Sequence, residues 1–184
     1  ERPGGDPSRW VGPFPGETPH PERSLSFLYN NRNKLGITLN LECERGRELF
    51  VRLVGKTDVL VESFSPGHLD SLGLGYESLV KKNPGLIMTS VTGFGQSGPR
   101  RDFKTCDLVN SAFGGQMYVS GSPDRPPIKA FGEQSYATGS LFAAVGILLA
   151  LQKRHKSGEG EYIDVSLQEA AVSTLDQVMT CLLY

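Results

Sequence analysis

Three short apolar runs set the frame of this chain: Asp58-Val59-Leu60-Val61-Glu62, residues 86–91 and residues 161–165. Each is bounded by turn residues and reads as a strand. Segments of helical period separate them. Residues 47–54 put Leu49, Phe50, Leu53 and Val54 on one face with charges opposite. Residues 76–82 form a second amphipathic helix, stopped before Pro84. Residues 107–113 and 136–155 are further helices, and another opens at Leu167. Two more strands are expected, an alternating one at 35–41 and a short one at 128–130. Pro3, Pro7, Pro13, Pro15, Pro19 and Pro21 make residues 1–25 an extended Pro/Gly-rich loop. Alternating strands and helices with connections suited to βαβ units predict an α/β fold, a mostly parallel sheet flanked by helices.

The chain has 184 residues, enough for one domain with a sizeable core. Nineteen basic and 20 acidic residues give a net charge of −1, so no strong field draws nucleic acid or an anionic membrane. The longest apolar run, residues 141–151, falls short of the about 20 residues that span a bilayer, and a buried core helix is expected there. Cys43, Cys106 and Cys181 are odd in number and lack CxxC spacing. They read as free thiols of a reducing compartment, hence a cytoplasmic protein. His20, His68 and His155 form no metal-ligand pattern, and no metal is expected. The first residue is not Met, and the last residues fall in an apparent uncapped helix, which suggests an internal fragment.

In parallel sheets ligands gather beyond the carboxyl ends of the strands. Three loops qualify: Glu62-Ser63-Phe64-Ser65-Pro66-Gly67, residues 92–99, and the loop ending at Tyr136. The glycines of Gly93-Phe94-Gly95-Gln96-Ser97-Gly98-Pro99 fit a structural turn or a ligand loop equally. Asp107 can cap the helix it opens. Cys106 lies near Lys104 but has no nearby histidine to make it a nucleophile. Phe131-Gly132-Glu133-Gln134-Ser135-Tyr136-Ala137-Thr138-Gly139 feeds directly into the apolar run. It offers one buried-looking carboxylate, Glu133, and one phenol, Tyr136. Glu133 fits either a first-turn residue of the helix or a partly desolvated nucleophile or base.

An ordered set of motifs runs through nearly the whole chain. It begins with Asn31-Arg32-Asn33-Lys34 running into Ile37-Thr38-Leu39-Asn40-Leu41. The strand and loop at 58–67 follow, then Leu72-Gly73-Leu74-Gly75-Tyr76, Asn83-Pro84 and the 93–99 loop. Gly146-Ile147-Leu148, Arg154-His155-Lys156-Ser157-Gly158-Glu159-Gly160 and Ile163-Asp164-Val165-Ser166 complete it. Each motif alone is weak, but their order is specific, and the set resembles the class III CoA-transferase family.

The resemblance implies a Rossmann-like large domain spanning residues 1–184, incomplete at both ends, with residues 166–184 leading toward a further C-terminal part. It implies acyl-CoA and a carboxylic acid as substrates, coenzyme A entering as the thioester, and an interlocked homodimer or heterodimer. Arg2 resembles the arginine that faces the CoA phosphates, and Leu39, Asn40 and Leu41 match the stretch lining the adenine side. Ser63 and Phe64 match an Asn-Phe pair that contacts CoA, and Lys104 a lysine near it. Asp107 matches an acidic residue beside the active site. Cys106 stands where the family's racemases have a histidine base and its transferases a tyrosine. The nucleophilic aspartate of active transferases falls on Tyr136, whose phenol, with an ordinary pKa of about 10, is a poor substitute. Glu133, one turn earlier, offers the carboxylate. Two other readings stay open: a non-catalytic CoA-binding subunit of a heteromer, and a racemase-like isomerase using Glu133 and Asp107 as bases.

Overall fold

A computed structural model describes residues 1, 4–176 and 178. The chain divides into two compact units, Glu1–Phe50 and Val51–Tyr184. The first unit holds 3₁₀ turns at Pro7–Trp10 and Pro15–Glu17, helix α1 (Leu25–Asn30) and the start of α2 (Glu44–Val54). The turns give local order to a segment expected as plain loop. Helix α1 was not expected either. Its cap is Ser24, which accepts the Phe27 N–H at 3.1 Å and donates to the Val11 carbonyl. The Arg9 guanidinium lies 4.1 Å from the centre of the Phe27 ring and pairs with Glu1 and Glu22.

Residues 35–41 do not form the expected strand. Among the described residues they pair with Glu1: its terminal nitrogen donates to the Ile37 carbonyl at 2.7 Å, and Leu39 N–H donates to the Glu1 carbonyl at 3.1 Å. Leu35 is 98% exposed, so the alternation has no buried face to serve. Residues 128–130 likewise stay outside any strand.

The second unit is built on a parallel three-stranded sheet of β1 (Val59–Glu62), β2 (Ile87–Thr92) and β3 (Glu161–Ser166), in that order. Val59 pairs with Ile87, and Ile87 with Glu161. Central β2 is the most buried strand, with Ile87 and Thr89 fully enclosed. Short helices α3 (His68–Ser71) and α4 (Tyr76–Leu79) fill the β1–β2 crossover and bury Leu69, Leu74 and Leu79. The second expected helix is thus shorter than residues 76–82. Asn83 Nδ2 ties the crossover to the end of α2, donating to the carbonyls of Val54 and Thr57 at 3.0 and 2.8 Å.

The β2–β3 crossover carries α5 (Asp107–Phe113) and α6 (Gln134–Ser157), and α7 (Leu167–Ser173) follows β3. Helix α6 packs on β2, β3 and α7 through small residues: Ser135, Gly139, Ala143 and Ala150 are its buried positions. A methyl group on Gly139 would stand 2.3 Å from Leu167 Cδ2, so the missing side chain lets α6 and α7 close up. The large apolar residues point the other way: Leu141, Leu148 and Leu149 are 64–69% exposed. The expected buried helix is therefore buried on one side only. At 24 residues it is also long and apolar enough, by length and composition, to cross a bilayer, although its small-residue face is committed to the sheet.

Entry into β3 depends on Gly160, whose N–H donates to the Pro84 carbonyl at 2.8 Å. A methyl group there would stand 1.9 Å from the Leu86 carbonyl oxygen, a backbone atom that cannot swing aside. Gly160→Ala is expected to lower stability by about 2–3 kcal/mol, at the upper end of overpacking effects. Urea melts check this; a change below about 0.5 kcal/mol, the range of an ordinary surface substitution, would refute it.

Candidate functional site

All three strands point their carboxyl ends to one edge of the sheet, where β1 releases Ser63 and Phe64 and β2 releases the 93–99 loop. Both Ser63 and Phe64 are exposed, and the Phe64 ring leans on His68 with centroids 5.0 Å apart. The loop after β2 is held by protein contacts. Asp164 Oδ2 accepts the Gln96 N–H at 2.9 Å, and Phe94 stands edge-on to Phe103 and Phe113. A methyl group on Gly93 would stand 2.0 Å from Thr105 Cγ2. That glycine therefore serves a close protein approach, and the structural side of the two readings of this loop holds at that position.

The same approach brings residues 104–107 to the end of β2. Lys104 and Cys106 are exposed, and Asp107, the first residue of α5, is 6% exposed. Asp107 does not cap its own helix. Its Oδ1 accepts the Ser135 backbone N–H and the Ser135 hydroxyl, both at 2.8 Å, and so caps α6. Its Oδ2 lies 2.6 Å from Lys129 Nζ. Lys129 also donates to the carbonyls of Ala130 and Gly132. A carboxylate at the start of a 24-residue helix satisfies an orphan N–H and complements the helix dipole. Burial pushes the Asp107 carboxyl up. The Lys129 ammonium and both Ser135 donors outweigh that and hold it below its ordinary value.

Tyr136 follows Ser135 and is 36% exposed. Burial raises its phenol, the neighbouring Cys106 and the Glu133 carboxylate raise it further, and the Asp107 backbone N–H only partly opposes them. The phenol thus keeps its proton at neutral pH and can donate a hydrogen bond there. Glu133 takes the N-cap position of α6 without a side-chain capping bond and is exposed. It is not the buried carboxylate its apolar neighbours suggested; Asp107 is. Its own carboxylate makes no hydrogen bond among the described residues.

The structure therefore gathers Lys104, Cys106, Asp107, Glu133 and Tyr136 around the starts of α5 and α6, with Ser63 and Phe64 on the same sheet edge. Leu39, Asn40 and Leu41 lie in the first unit, in the turn leading to α2, where the Arg47 guanidinium donates to the Leu41 carbonyl at 3.2 Å. Arg2 lies outside the described residues. Lys129 and Ser135 escaped the sequence reading. The one signal they left was a lysine and a serine flanking the Glu133 loop. Among the described residues, no three His, Cys, Asp or Glu side chains stand close enough together to hold a metal ion.

Comparison with known proteins bears on the family and the fold. The chain is 42% identical over 176 residues to the succinyl-CoA:(R)-benzylsuccinate CoA-transferase subunit BbsE of Thauera aromatica, covering 96% of this chain and 43% of that protein. It is 41% identical over 183 residues to the acetyl-CoA:oxalate CoA-transferase of Acetobacter aceti, covering 98% and 46%. Its fold superposes on a CAIB/BAIF family protein from Brucella suis with a TM-score of 0.89 at 39% identity, over 99% of this chain and 48% of that one. The chain thus spans less than half the length of these relatives. The sequence profile of CoA-transferase family III matches residues 1–183, and the chain belongs to that family.

Proposed function

We propose that this chain carries the thioester-handling part of a CoA-transferase, which moves coenzyme A from an acyl-CoA to a carboxylic acid. The observation behind this reading is the meeting of Glu133 and Tyr136 with the buried Asp107–Lys129–Ser135 cluster at the carboxyl edge of the sheet, on the fold of that family. Glu133 is the nucleophile of this scheme. Its carboxylate oxygen bonds to the acyl carbon of the thioester, the C–S bond breaks and the CoA thiolate leaves, giving a mixed anhydride. The thiolate then attacks the glutamyl carbonyl, the first acid departs, and a glutamyl-CoA thioester remains for the acceptor carboxylate. Protonated Tyr136, facing Glu133, donates a hydrogen bond to oxygen that gains charge in these steps. Asp107 and Lys129 are positioning residues: both Asp107 oxygens are engaged, which disfavours an isomerase using Asp107 as a base.

Lys104, exposed and without an ion pair among the described residues, suits a CoA phosphate, and exposed Phe64 a face of the coenzyme. Ser63 and Cys106 complete the coenzyme's surroundings on this sheet edge in the proposal. We place the protein in the cytoplasm, in an interlocked dimer; free, exposed Cys43 and Cys106 support a reducing compartment. The test is incubation of the full-length protein with acyl-CoA and hydroxylamine, followed by mass mapping. A hydroxamate on Glu133 is the expected result. A second reading, a non-catalytic subunit, draws on Tyr136 and on the Thauera aromatica relative, itself a subunit. No hydroxamate from the protein alone, together with activity on co-expression with a paralogue, would favour it over the first.

A further inference from the structure

A cavity of about 350 Å³ opens beside the site, between α5, the chain after it, the start of α6 and the end of α7. It stands on the frame that holds Asp107: Ser111 is one turn along α5 from Asp107, Ala130 follows Lys129, and Gln134 lies between Glu133 and Ser135. Its size is at the small end of small-molecule sites.

The chemistry of its wall is selective. No charged side chain lines it among the described residues. Ser111 is 3% exposed and lines the cavity, and its hydroxyl makes no hydrogen bond among the described residues. Two amides border the space, each with one of its two N–H donors used. Gln134 Nε2 donates to the Phe131 carbonyl at 2.8 Å, and Gln116 Nε2 to Thr174 Oγ1 at 2.9 Å. Each amide thus retains one N–H and its carbonyl oxygen, which together suit a group that both accepts and donates. Met117, Val119 and Leu175 supply the apolar remainder. A carboxylate seated here accepts from those N–H groups but meets no cation and supplies no donor to the amide oxygens. A hydroxyl, which both donates and accepts, matches Ser111 and the amide oxygens together.

We propose that this cavity receives the tail of the carboxylic acid handled at Glu133, and that it selects a short, uncharged, hydroxyl-bearing acid over a dicarboxylic acid. The proposal rests on the transferase reading above. Its test is independent of turnover: calorimetric titration of the full-length protein with γ-hydroxybutyrate, butyrate and succinate, which share a chain length and differ at the far end. γ-Hydroxybutyrate is expected to bind about tenfold more tightly than butyrate, as a well-made buried hydrogen bond gives, and succinate more weakly than either. Ser111→Ala removes the advantage of γ-hydroxybutyrate over butyrate and leaves butyrate binding in place. Val119→Lys, at a partly exposed wall position, brings in a cation and reverses the order in favour of succinate. Succinate binding as tightly as γ-hydroxybutyrate in the unaltered protein would overturn the proposal. So would a preference that survives Ser111→Ala, or absence of binding by all three acids from a protein that forms the Glu133 hydroxamate. Selective binding without hydroxamate formation would instead uphold the cavity's selectivity and remove the transferase reading.

Discussion

Asp107→Ala is expected to destabilise the protein by about 2–4 kcal/mol, the range for removing one partner of a buried, hydrogen-bonded ion pair. Three groups lose their acceptor together: the Ser135 N–H, the Ser135 hydroxyl and the Lys129 ammonium. Ser135 is fully buried and has no water to turn to. Lys129 retains the Ala130 and Gly132 carbonyls, which softens the loss and keeps the figure below that of a fully enclosed pair. The start of α6 then frays, and Glu133 and Tyr136 with it, so activity falls further than the folded fraction. The pH dependence has a definite sign. The folded carboxyl is held below its ordinary value, so its stabilisation is fully present above about pH 3.9 and drains away as pH falls through the lower folded value. In Asp107→Asn this acid limb flattens. Urea melts from neutral pH down to about pH 2.5 separate the cases. Parallel loss of stability in the two proteins would show that some other carboxylate carries the acid limb.

The parts of this architecture that were legible in the sequence are those fixed by local pattern. The apolar runs of β1, β2 and β3, the amphipathic face of α2 and the limits of α5 follow from short-range period and turn chemistry. What failed depended on partners. An alternating run such as 35–41 becomes a strand only if a neighbour completes its ladder, and among the described residues only Glu1 makes backbone hydrogen bonds to it. Helix α6 was misjudged for a related reason: hydrophobicity marks Leu141, Leu148 and Leu149, whereas close packing on a sheet selects Gly139, Ala143 and Ala150. At the site, Glu133 and Tyr136 announce themselves by standing where a polar glycine loop becomes an apolar helix. The Asp107–Ser135 bond joins residues 28 apart in sequence, and no local pattern encodes it. Its burial inverts the expected roles of the two carboxylates, enclosing Asp107 and leaving Glu133 to solvent.

That inversion leads to the largest expected effect on catalysis. Glu133→Gln should lower kcat by at least about 10³-fold in the full-length protein, because an amide cannot form the anhydride and the stepwise route closes. KM for the acyl-CoA should change little, since the proposed scheme holds the coenzyme through other residues. Stability should also change little, because the Glu133 side chain is exposed and makes no hydrogen bond among the described residues. Tyr136→Phe is the matched control. It keeps the ring and removes one donor, so a loss of about tenfold is expected, the worth of one hydrogen bond to developing charge. Burial and the nearby Glu133 carboxylate hold the phenol protonated, so its contribution should stay constant across neutral pH. If Tyr136 were instead the nucleophile, the order would reverse: Tyr136→Phe would abolish turnover, and the wild-type rate would climb with pH as phenolate formed. Equal, small losses in both variants would leave neither residue carrying the acyl group and would place the covalent step on a partner chain.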